Sequence, residues 1–213
     1  MLLRNAQAIN SYCKSRFIAA LIVSIGLVAC QCRTTSVNVS GQEEWREGDL
    51  VLRCGNGMES RAVTQSSHSI YSHVGLLHYD SLCEEWQVVH AVPGEDEPEY
   101  IKAEPIEVFF SSERAKNGAW LRVRCSDESA REAVRYALTK MDKKVLFDND
   151  YLLADSTSLY CTELVWRAYK TQGIDVTNGR RHSLPTVFSK EGEAIFPNDI
   201  EQSETTLFVK HFN

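Results

Sequence analysis

The spacing of apolar positions changes twice along the chain, and each change marks a different kind of structure. Phe17 to Ala29, "FIAALIVSIGLVA", is one uncharged run of thirteen residues. From Trp45 to Cys125 the apolar residues come in short stretches, several alternating with polar ones, divided by turn formers. Period two of this kind marks strands. "GDLVLRC" (48–54), "SHVGLLHYD" (72–80) and "EWQVVHAV" (85–92) predict strands, the last two an antiparallel hairpin turning at residues 80–85. "NGMESRAVTQSSHS" predicts a polar connection with a helical turn near residues 58–64. "AEPIEVFF" predicts a strand crossing back along the sheet, and "AWLRVRC" a half-exposed strand. Beyond Cys125 the spacing becomes helical. Ala130, Ala133, Val134, Ala137, Leu138 and Met141 recur behind an N-cap Ser126 and the first-turn acids Asp127 and Glu128. A second helix starts at Tyr160 or Cys161, carries Leu164, Val165 and Ala168 on one stripe, and ends before Gly173. "TLFVKHF" predicts a last strand. The sum is an α+β domain, an antiparallel β-sheet packed with helices.

The N-terminal run changes the picture of where this domain resides. Thirteen residues fall short of the roughly 20 a membrane-spanning helix needs and suit the apolar part of a secretory signal. Arg4, Lys14 and Arg16 precede it, with no acid before residue 30. The run closes in Leu27-Val28-Ala29-Cys30, which resembles a bacterial lipobox, in which the cysteine is lipidated and becomes the first mature residue. The expected organisation is a lipoprotein signal peptide over 1–29, a polar tether over 30–44 and the folded domain over 45–213. Two acyl chains on Cys30 suffice for stable anchoring. Gln31 does not resemble the aspartate that retains lipoproteins at the inner membrane, so an outer-membrane, periplasm-facing position in the cell envelope is expected if the organism has an outer membrane.

Charge and cysteines narrow the chemistry. The whole chain carries −6, and the leader's three basic residues leave the remainder more acidic still. A nucleic-acid partner would need clustered Lys and Arg. An exported chain permits disulfides. Beyond Cys13 and Cys30 stand Cys32, Cys54, Cys83, Cys125 and Cys161, an odd number that leaves a thiol over. No CxxC pair is present, which speaks against a structural zinc site; no cofactor and no metal are expected. Pairing among Cys54, Cys83 and Cys125 stays open.

Cys161 stands at a helix start, facing inward. There, unpaired N–H groups and the helix dipole favour a thiolate and can face an oxyanion. A cysteine nucleophile needs an imidazole in reach and a group to orient it. His73 and His90 interrupt the two hairpin strands at apolar positions, roughly opposite one another, close enough for a relay if their parity matches. Gly75 gives room for a close approach. Buried cysteine is common without function, and each histidine alone fits a structural role; the conjunction of the three points to chemistry. His78 falls on the opposite strand face. His68, His182 and His211 lie in loops or the tail. Asp49 and Glu163 fit structural roles, in a turn and in helix-end pairing. Tyr71 and Tyr160 are candidates for lining the cleft.

"GDLVLRCGNG", "YSHVGLL", "WQVVHAVPGE" and "LYCTELVWRAYKTQGI" resemble the permuted papain-like amidases of the YaeF/YiiX group, relatives of the NlpC-type cell-wall peptidases and the lecithin:retinol acyltransferase family. The resemblance spans roughly residues 48–174. Its diagnostic is order: the cysteine helix follows the histidine strands, where unpermuted relatives have it first. The resemblance implies a circularly permuted papain-like fold, with Cys161 as nucleophile, His73 as general base and acid, and His90 as third member, a position where some members carry glutamate. It implies a lipid-anchored thiol hydrolase that cleaves an amide through an acyl-enzyme, possible substrates including cell-wall peptides. The alternatives are acyl transfer or lipid ester hydrolysis by the same thiol, or a non-catalytic binding lipoprotein. A deep apolar groove beside Cys161 would favour lipid; an open polar cleft rimmed by the acidic 95–99 loop would favour peptide.

Overall fold

The middle strand of the sheet is apolar on both faces, and the architecture follows from that. The computed structural model describes residues 37–93, 99–153, 157–183 and 192–213. The leader with Cys30 and Cys32, residues 94–98 of the acidic loop, and residues 184–191 lie outside the described residues. In chain order the elements are β1 (Leu50–Cys54), α1 (Met58–Ser67), β2 (His73–Asp80), β3 (Glu85–His90), β4 (Lys102–Pro105) and α2 (Ile106–Phe109). There follow β5 (Asn117–Val123), α3 (Asp127–Asp142), β6 (Leu146–Phe147), β7 (Ser158–Leu159), α4 (Cys161–Lys170), β8 (His182–Ser183), β9 (Glu193–Ala194), α5 (Pro197–Glu201) and β10 (Thr206–Phe212). Six strands form one antiparallel sheet in the order β10-β5-β1-β2-β3-β4.

Alternation sorts the side chains into two cores. Leu50, Leu52, Val74, Leu76, Val89 and Leu121 pack with Val134, Leu164, Val165 and Ala168 of α3 and α4. Val51, Leu77, Val88 and Trp120 face the other way, onto Phe109, Phe110 and Phe212. Each fully buried Val, Leu or Phe side chain among these contributes about 1.5–3 kcal/mol. Because β1 and β2 are covered on both sides, a polar residue inside them must find partners within the protein. His73 and Arg53, paired across β1 and β2 on the second face, are two such residues.

The α+β class, the antiparallel sheet and the two long helices agree with the expectations from the sequence; three local features differ. The polar connection after β1 is a ten-residue helix, α1, which shields one side of a cavity. "AEPIEVFF" is not one strand: it breaks at Pro105, which has no N–H to continue a ladder, and Ile106–Phe109 turn into a short helix that buries Phe109. Residues 37–44, expected as tether, lie on the domain. Val37 is buried in the second core, and Asn38 N donates to Asn213 O at 2.9 Å. Cys54 and Cys125 are free thiols, so these two and Cys83 form no bridge among themselves. No helix among the described residues is long and apolar enough to cross a membrane.

Candidate active site

α4 begins at Cys161, and its N-terminus is held from outside. Tyr160, at the N-cap, makes no side-chain cap. Instead its hydroxyl accepts from Ile195 N at 2.9 Å, while Thr162 Oγ1 donates to Ile195 O at 2.7 Å. Both polar groups of one residue thus fix the first turn, leaving its N–H groups for another acceptor. The thiol points inward, 8% exposed, at the end of β2. Burial pushes it up to about 11; the N–H groups of Val74, Thr162 and Cys161 and the charge of Arg53 pull the other way. Burial therefore outweighs the helix start: the resting sulfur is a thiol, and a nucleophile here needs a base.

The hairpin supplies imidazoles. The β2–β3 register pairs Leu76 with Val89; continued by one residue, it sets Gly75 opposite His90. His73 and His90 therefore share a face, one diagonal step apart. A Cβ on Gly75 would stand 2.4 Å from Val88 Cγ1 and 3.1 Å from His90 Cβ. The missing side chain lets the His90 ring lean to His73, and Nε2 of His73 meets Nδ1 of His90 at 2.8 Å. Nδ1 of His73 is then the ring's remaining nitrogen. The Phe109 ring packs on both imidazoles, at centroid distances of 5.6 and 5.2 Å. His73 is lowered well below 6.5 by burial, then by Arg53, His90 and Lys102. His90, also lowered by burial, is drawn partly back by Glu104. Both rings are neutral at ordinary pH, which is the state a general base requires.

Glu104 is the residue the sequence reading missed. β4 pairs with β3 so that Val88 faces Glu104 and His90 faces Lys102, placing all four on the histidine face. Glu104 Oε1 lies 3.2 Å from His90 Nε2, an ion-pair distance away from the straight hydrogen-bond line. Its Oε2 accepts from Arg114 Nη1 at 2.6 Å, with Lys102 Nζ at 3.6 Å. Burial opposes ionisation of this carboxyl, but His90, Arg114 and Lys102 outweigh it and hold it at about 2. The period-two spacing of Lys102 and Glu104 is also that of an ordinary exposed strand face, so the sequence alone does not single out Glu104. Arg53 was missed as well; it lies over Phe109, 4.4 Å from the ring centre, and donates to Phe109 O at 2.6 Å.

Cys161 and His73 border one cavity of about 300 Å3. Its walls come from α1 (Ala62, Val63), from Val92 and Pro93 after β3, from Phe147 and Tyr151, and from residues 194–197. Glu59, Ser60, Ser66, Ser72 and Asn149 add polar edges to a lining that is chiefly apolar. Tyr151 has a left-handed φ of 56°, unusual for a bulky residue, and its ring sits between Phe147 and Tyr160. The other polar candidates have structural partners. His78 Nδ1 lies 2.6 Å from Glu47 Oε1, His211 Nδ1 2.9 Å from the Tyr71 hydroxyl, and His182 Nε2 2.8 Å from Asp199 Oδ1. Glu163 accepts from Arg167 at 2.7 Å. Among the described residues no group of three or more His, Cys, Asp or Glu is arranged to hold a metal ion.

An antiparallel sheet presenting two histidines, followed later in the chain by a helix that begins at a cysteine, is the papain-like arrangement in permuted order. Residues 44–210 match the family described as permuted papain-like amidase enzyme, YaeF/YiiX, C92 family, and the chain belongs to it. Among solved structures it resembles the metalloprotein yiiX (DUF1105) from Escherichia coli O157:H7. The TM-score is 0.64 and the identity 19%, over 78% of this chain and 96% of that one. No curated protein matches.

Proposed function

We propose that the protein is a lipid-anchored, extracytoplasmic thiol hydrolase that cleaves an amide whose acyl part is apolar. The observation that carries this reading is the cavity: the side chains that could do chemistry meet its interior, and the walls beside them are mostly hydrocarbon. A stem peptide of the cell wall, rich in charged and amide groups, would leave its polar atoms without partners against such walls. An acyl chain would lose apolar surface to them, at roughly 0.8 kcal/mol per buried methylene.

In this mechanism His73 Nδ1 takes the Cys161 proton as the sulfur attacks the carbonyl carbon, and the N–H groups at the start of α4 face the oxyanion. Collapse of the tetrahedral intermediate breaks the C–N bond, and the amine leaves with the proton from His73. Water then gives its proton to His73 and attacks the thioester, releasing the acid and restoring the thiol. An ester or a second acceptor would enter the same thioester, so acyl transfer is the neighbouring reading. Retention at the membrane through Cys30 would keep the cavity beside acylated envelope components.

The test is a series of acyl amides of increasing chain length, with matched esters and a stem-peptide amide, followed by release of the free acid. Turnover should rise with chain length and vanish in Cys161→Ala and His73→Ala. Equal or better turnover of the stem peptide would overturn the substrate class. Unchanged turnover in Cys161→Ala would overturn the centre. Cys30→Ser should abolish fatty-acid labelling and membrane retention; persistence of both would refute the anchor.

A further inference from the structure

We infer that Glu104 is a positioning residue that sets the tautomer of both histidines, and so decides whether His73 can accept a proton at all. The inference rests on the Cys161–His73 reading for its functional consequence, but its physical content stands on the buried contacts alone.

Two neutral imidazoles joined by one hydrogen bond can be protonated in two ways. In the first, His90 Nδ1 carries the shared proton and donates to His73 Nε2. The proton of His73 must then sit on Nδ1, and the ring has nothing basic left to offer a thiol. In the second, His73 Nε2–H donates to His90 Nδ1. Nδ1 of His73 is then a lone pair, and the proton of His90 sits on Nε2. The 2.8 Å contact is compatible with either. What lies on the far side of His90 decides. Among the described residues its Nε2 has Glu104 Oε1 at 3.2 Å and no other partner, in a side chain wholly shielded from water. A carboxylate can only accept. Glu104 is kept ionised by Arg114 and Lys102 on its other oxygen. A proton on His90 Nε2 is therefore favoured, and the second arrangement propagates to His73.

The charges around the pair keep it in the neutral form that the assignment requires. Arg53 from β1 and Lys102 from β4 both disfavour a cation on either ring, so at rest the pair stays neutral and its polarity is set by hydrogen bonding. When His73 takes up a proton during the reaction, Glu104 is the one anion among the described residues in contact with the relay. A third-position histidine thus does have a carboxylate behind it, one ring further from the sulfur.

The experiment follows from the asymmetry of the Glu104 surroundings. In Glu104→Gln the amide oxygen is claimed by Arg114 and Lys102, which are donors only. The NH2 group is then turned to His90 Nε2, which must become an acceptor. Both tautomers invert. Nitrogen NMR of histidine-labelled protein reads the protonated nitrogen of each ring directly, with His73→Gln and His90→Gln for assignment. The native protein should show Nε2–H on both rings, Glu104→Gln should show Nδ1–H on both, and Glu104→Asp should restore the native pattern. In step, alkylation of Cys161 at neutral pH should fall on the order of a hundredfold or more in Glu104→Gln, to the rate of His73→Ala, and recover in Glu104→Asp. A native protein with Nδ1–H on His73, or a Glu104→Gln variant with native tautomers, overturns the inference. The native spectrum needs no variant to fold. Native Nε2–H rings that invert in Glu104→Gln, in a protein whose thiol is no more reactive than an ordinary one, would uphold the tautomer assignment while removing the hydrolase reading. A reactive thiol that needs His73 but ignores Glu104→Gln does the reverse.

Discussion

Asp49, just before β1, and Glu104, on the edge strand β4, are both buried carboxylates, and they are held in different ways. Asp49 accepts from Arg46 N at 3.0 Å and Trp120 Nε1 at 2.8 Å, and from Arg122 Nε and Nη2 at 2.8 and 2.7 Å. Every donor in that set keeps its proton at any pH the protein meets. Arg122 holds its own more tightly because of the hydrogen bond to Asp49. Glu104 gives one oxygen to permanent cations and turns the other to His90, an imidazole that is itself in contact with His73. The contrast separates a buried charge held only by fixed donors from one that, on the inference above, bears on the site. In the first both oxygens meet fixed donors; in the second one oxygen is left to a titratable group whose chain of contacts ends at a cavity.

The largest effect should come from breaking the fixed site. Asp49→Ala leaves Arg122 and the Trp120 indole without their acceptor, and removing one partner of a buried pair costs about 3–5 kcal/mol. Arg122 is partly exposed, so the lower end is expected. Denaturant unfolding would measure it, and Cys161 alkylation of the folded fraction should stay native; a change of reactivity there would erase the distinction. Gly75→Ala should come next. Its methyl group would overlap Val88 and crowd His90, at about 1–3 kcal/mol for overpacking. Because the His90 ring must move, thiol reactivity should drop with it. Stability lost without reactivity would mean that the His90 contact does not position His73.

How much of this was legible beforehand depended on whether the signal was local. Helices α3 and α4 announced themselves through spacing and end signals, and α4 begins at Cys161 because Tyr160 remains extended. The histidines were visible because a polar ring inside an apolar strand is locally odd; that their parity matches is fixed only by the β2–β3 register. Glu104 was hidden because "KAEP" looks like ordinary surface; only the β3–β4 register turns its carboxylate inward. Arg53 was hidden likewise, as one basic residue in a strand. The thiol's displacement upward was not legible at all, since it depends on how completely α1 and residues 194–197 enclose a helix end that would otherwise favour the thiolate.

The smallest effect, and the most specific to the comparison, is in the pH dependence of stability. Folding lowers His73 and His90 below 6.5, so between the unfolded and folded values the unfolded chain binds more protons than the native one. Stability is then complete above 6.5 and declines as pH falls through that range, by up to about 1.4 kcal/mol per pH unit for each ring. Glu104, lowered to about 2, adds a second loss as pH falls below 4.5. Glu163, raised to about 7 by burial against the pull of Arg167, works the other way, because its protonated form is the one the fold prefers. Comparison between variants cancels that opposing contribution. His90→Asn should lose less stability than the native protein between pH 7 and 5, by the share of one ring. Asp49→Asn should start from a lower stability and fall with the native slope, because none of its partners titrates there. If His90→Asn kept the native slope, the rings would not be held neutral by burial. If Asp49→Asn changed the slope, the two carboxylates would not be as separate as their contacts make them.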